Sequence, residues 1–362
     1  MVGQYGFSDA DNAREIDSAC ALNATVVRLF VSIPDLESKG PGQIDPGYAA
    51  KLDSLMSESG RCGLRVIMSL GGTPKWDSTA PLEKFFMKFP ALDGGQYYHD
   101  IAAWAMQRWP GLYGIEVANE PNLTSFWMGT PGQYAELVNA AGAAKREVGS
   151  GTLIIAGALS GDGAARYLQQ LYSAGMRGQD AISLHPYSTV CRPFCQPFVD
   201  PARASSPFRS SIETMHRTML QNRDPSELYL TEFGFSTCPS QPVCVSDRMQ
   251  SLWTSRSVQV ADCYPYIAGL TTFTLRDIDV PATWDATAWH FHFGLMGADF
   301  SPKPAFGALA ATYRRLTRTD TLARSAAGKG SRSRRARVIR AATSTKCGRL
   351  LGRGQAKKRA KR

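Results

Sequence analysis

Residues 112–121 read LYGIEVANEP, an apolar run that stops at an amide, an acid and a proline. The apolar part, residues 112–118, has the length and composition of a buried strand. Asn119 and Pro121 favour turns, so they account for the end of that strand. They do not account for Glu120. Glu120 is therefore either an exposed loop acid or a carboxyl group that a rigid strand end holds for chemistry.

Runs of this kind recur along the chain, with helix-type patterns between them. The eight strand candidates cover residues 2–6, 25–31, 64–70, 113–118, 152–157, 181–185, 227–232 and 269–275. Continuous apolar runs are typical of strands buried on both faces, and therefore of a parallel sheet covered by helices. Eight such units favour a (β/α)8 (TIM) barrel over an open doubly wound sheet. No G-x-G-x-x-G motif follows the first candidate, which argues against a dinucleotide-binding fold.

The basic charge of the chain is concentrated at its C-terminal end. The formal net charge is +10, but residues 324–362 hold 15 Lys and Arg and no acid, which leaves 26 basic and 31 acidic residues elsewhere. That segment has few apolar groups to offset the entropy of ordering it. The sequence predicts a catalytic domain over residues 1–320 and a disordered tail over 321–362. The tail is either merely solvated or a contact for a polyanion or a cell surface.

Four of the eight cysteines lie in two proline-rich loops, Cys191 and Cys195 in one and Cys238 and Cys244 in the other. Close local pairing predicts disulfides, with three connectivities open, and an oxidising compartment. A four-thiolate zinc site and four reduced thiols are the alternatives.

The remaining cysteines are less informative. Cys20 and Cys62 are placed to pair between neighbouring helices, whereas Cys263 and Cys347 have no evident partners. We expect a secreted or extracellular protein from the cysteine-rich loops, although residues 1–16 lack the basic and apolar segments of a signal peptide. No apolar run is long enough to predict a membrane span.

A second acid, Glu232, ends the seventh strand candidate in the stretch LTEFG. Strands 4 and 7 of an eight-stranded barrel face each other across its mouth, so Glu120 and Glu232 are expected to approach one another there. Glycoside cleavage requires two such carboxyl groups: one protonates the leaving oxygen, and the other attacks the anomeric carbon or activates water.

The stretches IEVANEPN (residues 115–122) and LTEFG (residues 230–234) together resemble glycoside hydrolase clan A, nearest to its family 5 and family 39 group. The resemblance spans about residues 2–315. It implies a retaining glycosidase that acts on a β-linked substrate and needs no metal or organic cofactor. It also implies that Asn119 binds the sugar 2-hydroxyl, that Glu120 is the acid/base and that Glu232 is the nucleophile.

Three further residues match the same pattern. Arg28, in VVRLFVS, resembles the arginine that keeps the nucleophile ionised, as a nearby cation does. His185 and Tyr187, in SLHPYS, resemble a His-x-Tyr pair whose tyrosine donates to the nucleophile. The alternatives are a barrel-floor arginine and a histidine that only packs.

The aromatic residues depart from the family pattern. Many relatives have Trp where this chain has Ala118, and another Trp at the end of the eighth strand. The candidates for a sugar platform here are Trp76, Trp127, Phe273, Trp284 and Trp289. Core packing is the alternative for each, because aromatic rings serve both purposes.

The leading interpretation is a retaining O-glycoside hydrolase. A catalytically silent carbohydrate-binding barrel is the second, motivated by the missing tryptophans. A polyanion or cell-surface binder acting through residues 324–362 is the third, although that segment has no aromatic residue for base stacking.

Overall fold

The structure is a computed structural model, and it describes residues 8–81, 86–187, 198–239, 243–279, 285, 287–326, 347 and 350–351. The strands are β1 (Val26–Ser32), β2 (Arg65–Gly71), β3 (Gly114–Val117), β4 (Leu153–Ser160), β5 (Ala181–His185), β6 (Glu227–Phe233) and β7 (Ile267–Thr272). The helices are α1 (Asp9–Ala21), α2 (Ile33–Leu36), α3 (Pro46–Arg61), α4 (Gln96–Arg108), α5 (Pro131–Val148), α6 (Ala164–Ser173), α7 (Pro207–Gln221), α8 (Asp247–Ala261) and α9 (Pro304–Ala326).

The strands form one parallel sheet in the order β1-β2-β3-β4-β5-β6-β7. These seven strands match seven of the eight candidates, and the remaining candidate, residues 2–6, lies outside the described residues. The alternation of parallel strands and helices is therefore confirmed.

The sheet curls rather than lying flat. Neighbouring strands are about 4.8 Å apart, so β1 and β6 would be separated by more than 20 Å in a flat sheet. Yet a nitrogen of Arg28 on β1 lies 3.4 Å from an oxygen of Glu232 on β6. Residues of β1 and β7 also line one cavity of about 50 Å³. The strand ends therefore converge on a common centre, which is what allows distant positions of the sequence to form one site.

Helix starts follow local chemistry. Thr130 caps α5: its side chain accepts from the backbone of Gln133, whose side chain in turn accepts from the backbone N–H of Thr130. Pro131 fits the first helical position because its missing N–H has no intrahelical partner there. Asp45 caps α3 in a similar way, ahead of Pro46.

Apolar residues form two clusters. The larger lies mainly between the helices and the outer face of the sheet. The smaller consists of Ile67, Ile155, Ala181 and Tyr229, which come from β2, β4, β5 and β6 and pack within the curl. Side chains of adjacent parallel strands thus fill the interior, as they do in barrel cores.

Three disulfides are present among the described residues. Cys20–Cys62 joins the ends of α1 and α3, as the sequence suggested, and Cys238–Cys244 closes the loop after β6. The third, Cys263–Cys347, pairs the two cysteines for which the sequence gave no evident partners. They are 84 residues apart, so sequence proximity gave no signal. Cys191 and Cys195 lie outside the described residues.

The expectation of a disordered tail does not hold for its described residues. Cys347 is bridged to Cys263, and Leu351 is 5% exposed within the main apolar cluster. Nη1 of Arg209, on α7, donates to the carbonyl oxygen of Leu351 at 3.5 Å. A covalent bridge and one buried leucine supply what the composition of the segment lacks.

Among the described residues, no helix combines the length and the apolar character that crossing a membrane requires.

Candidate active site

Glu120 is aimed by an unusual backbone. Strand β3 ends at Val117, and both Ala118 (φ 58°) and Glu120 (φ 46°) adopt the left-handed region. Residues other than glycine enter this region at a cost of about 1–2 kcal/mol. Such strain is common at functional sites, where the surrounding structure enforces it. The turn directs the Glu120 side chain towards the centre of the sheet, where it is 7% exposed.

Arg28 and the side chains that its guanidinium group contacts form the guanidinium hub of the site. Arg28 is 1% exposed, and its Nε donates to Oε2 of Glu116 at 2.6 Å. Its Nη2 donates to Asn119 Oδ1 at 2.8 Å and to Ser69 Oγ at 3.1 Å. Its Nη1 reaches Oε2 of Glu232 at 3.4 Å. One guanidinium from β1 therefore links side chains of β2, β6 and the strand end of β3.

Glu232 sits between two donors. On one side is Arg28, and on the other the hydroxyl of Tyr187 donates to Glu232 Oε1 at 2.7 Å. The carboxyl group is held at the end of β6 and is largely buried. Both oxygens of this carboxyl group are therefore contacted by donors.

His185 bridges the two candidate acids. Its ring is fully buried, with Nδ1 2.8 Å from Glu120 Oε1 and 3.6 Å from Glu232 Oε2. Burial opposes protonation of the ring, but the negative charges of Glu232 and Glu120 outweigh it and raise the pKa of His185. Nδ1 of His185 therefore lies within hydrogen-bonding distance of the carboxyl group of Glu120.

The two carboxyl groups are close. One oxygen of Glu120, one of Glu232 and a ring nitrogen of His185 all lie within 4.8 Å of one another. Three such ligand atoms could hold a cation by spacing alone. The guanidinium of Arg28, however, already neutralises Glu232 and would repel a second positive charge. The arrangement fits acid–base and nucleophilic chemistry better than metal binding.

The aromatic candidates differ in their surroundings. Trp127 is 6% exposed and packs edge-on against Tyr134, which favours core packing. Trp76 is half-buried, and its indole N–H donates to the carbonyl oxygen of Glu37. Phe273 and Trp289 are half-buried and both contact the ring of Phe293. Trp284 lies outside the described residues.

Sequence reasoning missed Glu116 and Ser69. Glu116 is 0% exposed and lies in the middle of β3, four residues before Glu120. Burial opposes its ionisation, but the charges of Arg28 and His185 hold the pKa of Glu116 below its usual range. The signal was present, because an acid within an apolar strand needs a buried partner. Ser69 carried no such signal.

Several solved glycoside hydrolases share this fold. A family 39 glycoside hydrolase from Bacteroides cellulosilyticus WH2 superposes with a TM-score of 0.67 at 18% identity, over 87% of this chain and 63% of that one. GH5_18 from Streptomyces cattleya, in complex with GlcNAc, gives 0.64 at 21% identity, over 86% and 76%. A monomeric β-xylosidase from Caulobacter crescentus CB15 gives 0.63 at 17% identity, over 84% and 64%. This chain thus spans less than two-thirds of the first and third of these proteins.

The family follows from the sequence itself. Residues 105–319 match the model of glycosyl hydrolases family 39, and the chain belongs to this family. The matched range includes both Glu120 and Glu232. No curated protein matches the chain.

Proposed function

We propose that this protein is a retaining O-glycoside hydrolase that cleaves a β-linked glycoside, oligosaccharide or polysaccharide by double displacement. The observation that carries the proposal is the approach of Glu120 and Glu232, whose nearest ligand atoms lie within 4.8 Å. Retaining enzymes hold their carboxyl groups about 5–5.5 Å apart, whereas inverting enzymes leave about 6.5–9.5 Å for a water. The family membership supports the same reaction.

In the first step Glu232 attacks the anomeric carbon, and its bond to the sugar forms as the glycosidic bond breaks. Glu120 gives its proton to the departing oxygen, so the leaving group departs as an alcohol. In the second step Glu120 takes a proton from water, and the water oxygen displaces Glu232. Each inversion reverses the other, so the anomeric configuration is retained.

The neighbouring side chains have matching roles. Arg28 and Tyr187 donate to the two oxygens of Glu232 and hold its carboxyl group in place for attack. His185 donates to Glu120 and holds its carboxyl group in place through both steps. Asn119 offers its amide N–H groups to the sugar 2-hydroxyl. Trp76, Phe273 and Trp289 are the described aromatic side chains that we propose for sugar stacking.

A trapping experiment tests the proposal. A panel of aryl β-glycosides, starting with xylosides, glucosides and mannosides, identifies the sugar. The matching activated 2-deoxy-2-fluoro glycoside should then attach one sugar to the wild-type protein, and peptide mapping should place it on Glu232. An adduct on another carboxyl group, or a product anomer inverted by NMR, would refute the mechanism. Glu232→Ala serves as the control for both measurements.

Four further features complete the proposal. We propose that the curled sheet forms a (β/α)8 barrel, as the likeness to solved barrel glycosidases supports. Residues 1–320 then form the catalytic domain. The disulfides are compatible with secretion, since they persist in oxidising compartments. The basic charges of residues 324–362 would provide salt-sensitive contact with polyanions at a cell surface, beside the bridge that anchors Cys347.

A further inference from the structure

Glu116 makes the shortest contacts of the guanidinium hub. Its Oε2 lies 2.6 Å from Nε and 2.5 Å from Nη2 of Arg28, whereas Glu232 is 3.4 Å from Nη1. Both partners are essentially inaccessible to solvent. A buried charge-assisted pair of this kind fixes the planar guanidinium in both position and rotation.

The rotation of Arg28 determines what the rest of the site presents. Nη2 donates to Asn119, and a guanidinium has no acceptor, so the atom facing it must be the Asn119 amide oxygen. The amide nitrogen then faces away from Arg28 and stays available to a sugar hydroxyl. Nη1 is at the same time directed towards Glu232. The orientation of the Asn119 amide and the direction of Nη1 both depend on the ion pair between Glu116 and Arg28.

Glu116 also balances charge. The groups that face Glu232 are Arg28 from β1, Tyr187 and His185 from the end of β5, and Glu120 after β3. Without Glu116 the positive charge of Arg28 would act on Glu232 uncompensated. An over-stabilised carboxylate is a weaker nucleophile, although it is a better leaving group in the second step.

We propose that Glu116 is a positioning residue that acts through Arg28, so that one buried carboxylate sets both the charge seen by Glu232 and the amide orientation of Asn119. This inference rests on the proposed glycosidase function for its kinetic consequences, but its structural consequences can be measured without turnover.

The first test is spectroscopic. Glu116→Gln keeps the shape of the side chain and removes its charge. The matched control is Glu15→Gln, because Glu15 is equally buried and pairs with buried Arg276 outside the hub. Since the charge of Glu116 favours protonated His185, Glu116→Gln should lower the pKa of His185 in an NMR titration, and Glu15→Gln should not. The Arg28 Nε–H resonance should also move in Glu116→Gln alone.

The second test is kinetic and uses a sugar with and without its 2-hydroxyl. If Glu116 orients Asn119, the ratio of kcat/KM between an aryl β-glycoside and its 2-deoxy analogue should fall about 10-fold or more in Glu116→Gln, within the range typical of groups that orient a site ligand. Glu116→Leu should lose at least as much, and Glu15→Gln should keep the wild-type ratio.

The outcomes are distinguishable. An unchanged His185 titration and an unchanged Arg28 signal in folded Glu116→Gln overturn the inference, whatever the activity. Where the wild-type protein shows turnover, the inference is also overturned if Glu116→Gln leaves the ratio of kcat/KM between the glycoside and its 2-deoxy analogue unchanged. Spectroscopic shifts in a protein without turnover support the role of Glu116 and count against the proposed function instead.

Discussion

Removal of the Cys263–Cys347 bridge should destabilise the protein more than removal of either other disulfide described above. The double variant Cys263→Ala/Cys347→Ala opens a link across 84 residues. The chain-entropy relation then gives a loss of about 4.5 kcal/mol at 25 °C. The bridges Cys20–Cys62 and Cys238–Cys244 span 42 and 6 residues. The same relation gives about 4 and about 2 kcal/mol for them.

Deletion of residues 324–362 should cost still more. It removes the same bridge and also exposes the surface that Leu351 covers. Burial of a leucine side chain contributes about 1.5–3 kcal/mol. The loss of stability on deletion should therefore exceed that of the double variant by about this amount.

Denaturant unfolding under non-reducing conditions, followed by fluorescence of the seven tryptophans, measures these differences. Wild-type protein with and without a reductant provides the reference, and the matched control is Cys238→Ala/Cys244→Ala. A midpoint for Cys263→Ala/Cys347→Ala equal to that of the wild type would refute the reasoning, as would a smaller loss than in the control. Either result would show that Cys347 does not hold the C-terminal segment to the domain.

Three further predictions concern the site and its surroundings. Glu120→Gln should lower the rate of hydrolysis about 10²–10⁴-fold for substrates with poor leaving groups and much less for activated aryl glycosides, because only the former need a proton on the departing oxygen. Equal losses of rate for both kinds of substrate would contradict the role of Glu120 as the acid. Tyr187→Phe removes the hydroxyl that donates to Glu232 at 2.7 Å. Because a hydrogen bond to a charged group is worth about 1.5–3 kcal/mol, kcat/KM should fall about 10- to 100-fold while the free energy of unfolding stays the same. Unaltered kinetics would remove Tyr187 from the mechanism. Burial and the neighbouring Asp93 raise the pKa of Asp77 to about 6. The folded state therefore binds a proton at Asp77 more readily than the unfolded chain does. As a result, the free energy of unfolding falls as pH rises from about 4 towards 6. Asp77→Asn should abolish that slope in pH-dependent melting and should be more stable than the wild type at pH 7, and a retained slope would assign it to other groups.

Much of the fold was predictable because its signals are local. The apolar runs that became β1 to β7 were located within three residues of their observed ends, since strands buried on both faces require continuous apolar sequence. The positions of Asn119, Glu120 and Glu232 at strand ends followed from the same runs. Three further site residues were named from motif resemblance, and the structure brings Arg28, His185 and Tyr187 to those acids.

The aromatic candidates show where such reasoning stops. Trp76 and Trp127 each lie in a segment that follows a strand, yet the ring of Trp127 is enclosed beside Tyr134 and that of Trp76 is half-buried near Glu37. Exposure of a ring depends on which loops cover it, and loop placement depends on contacts that are distant in sequence.

The sequence by itself determined the alternation of strands and helices, the acids at the strand ends and the basic composition of the C-terminal segment, because each is a property of neighbouring residues. Only the tertiary structure decided that Glu116 pairs with Arg28, 88 residues away in sequence, and that Cys347 forms a disulfide with Cys263, 84 residues away. The physical reason is the curl of the sheet. It brings buried charges of β1, β3 and β6 within hydrogen-bonding distance, and the free energy of such charges depends on the partners that the fold supplies.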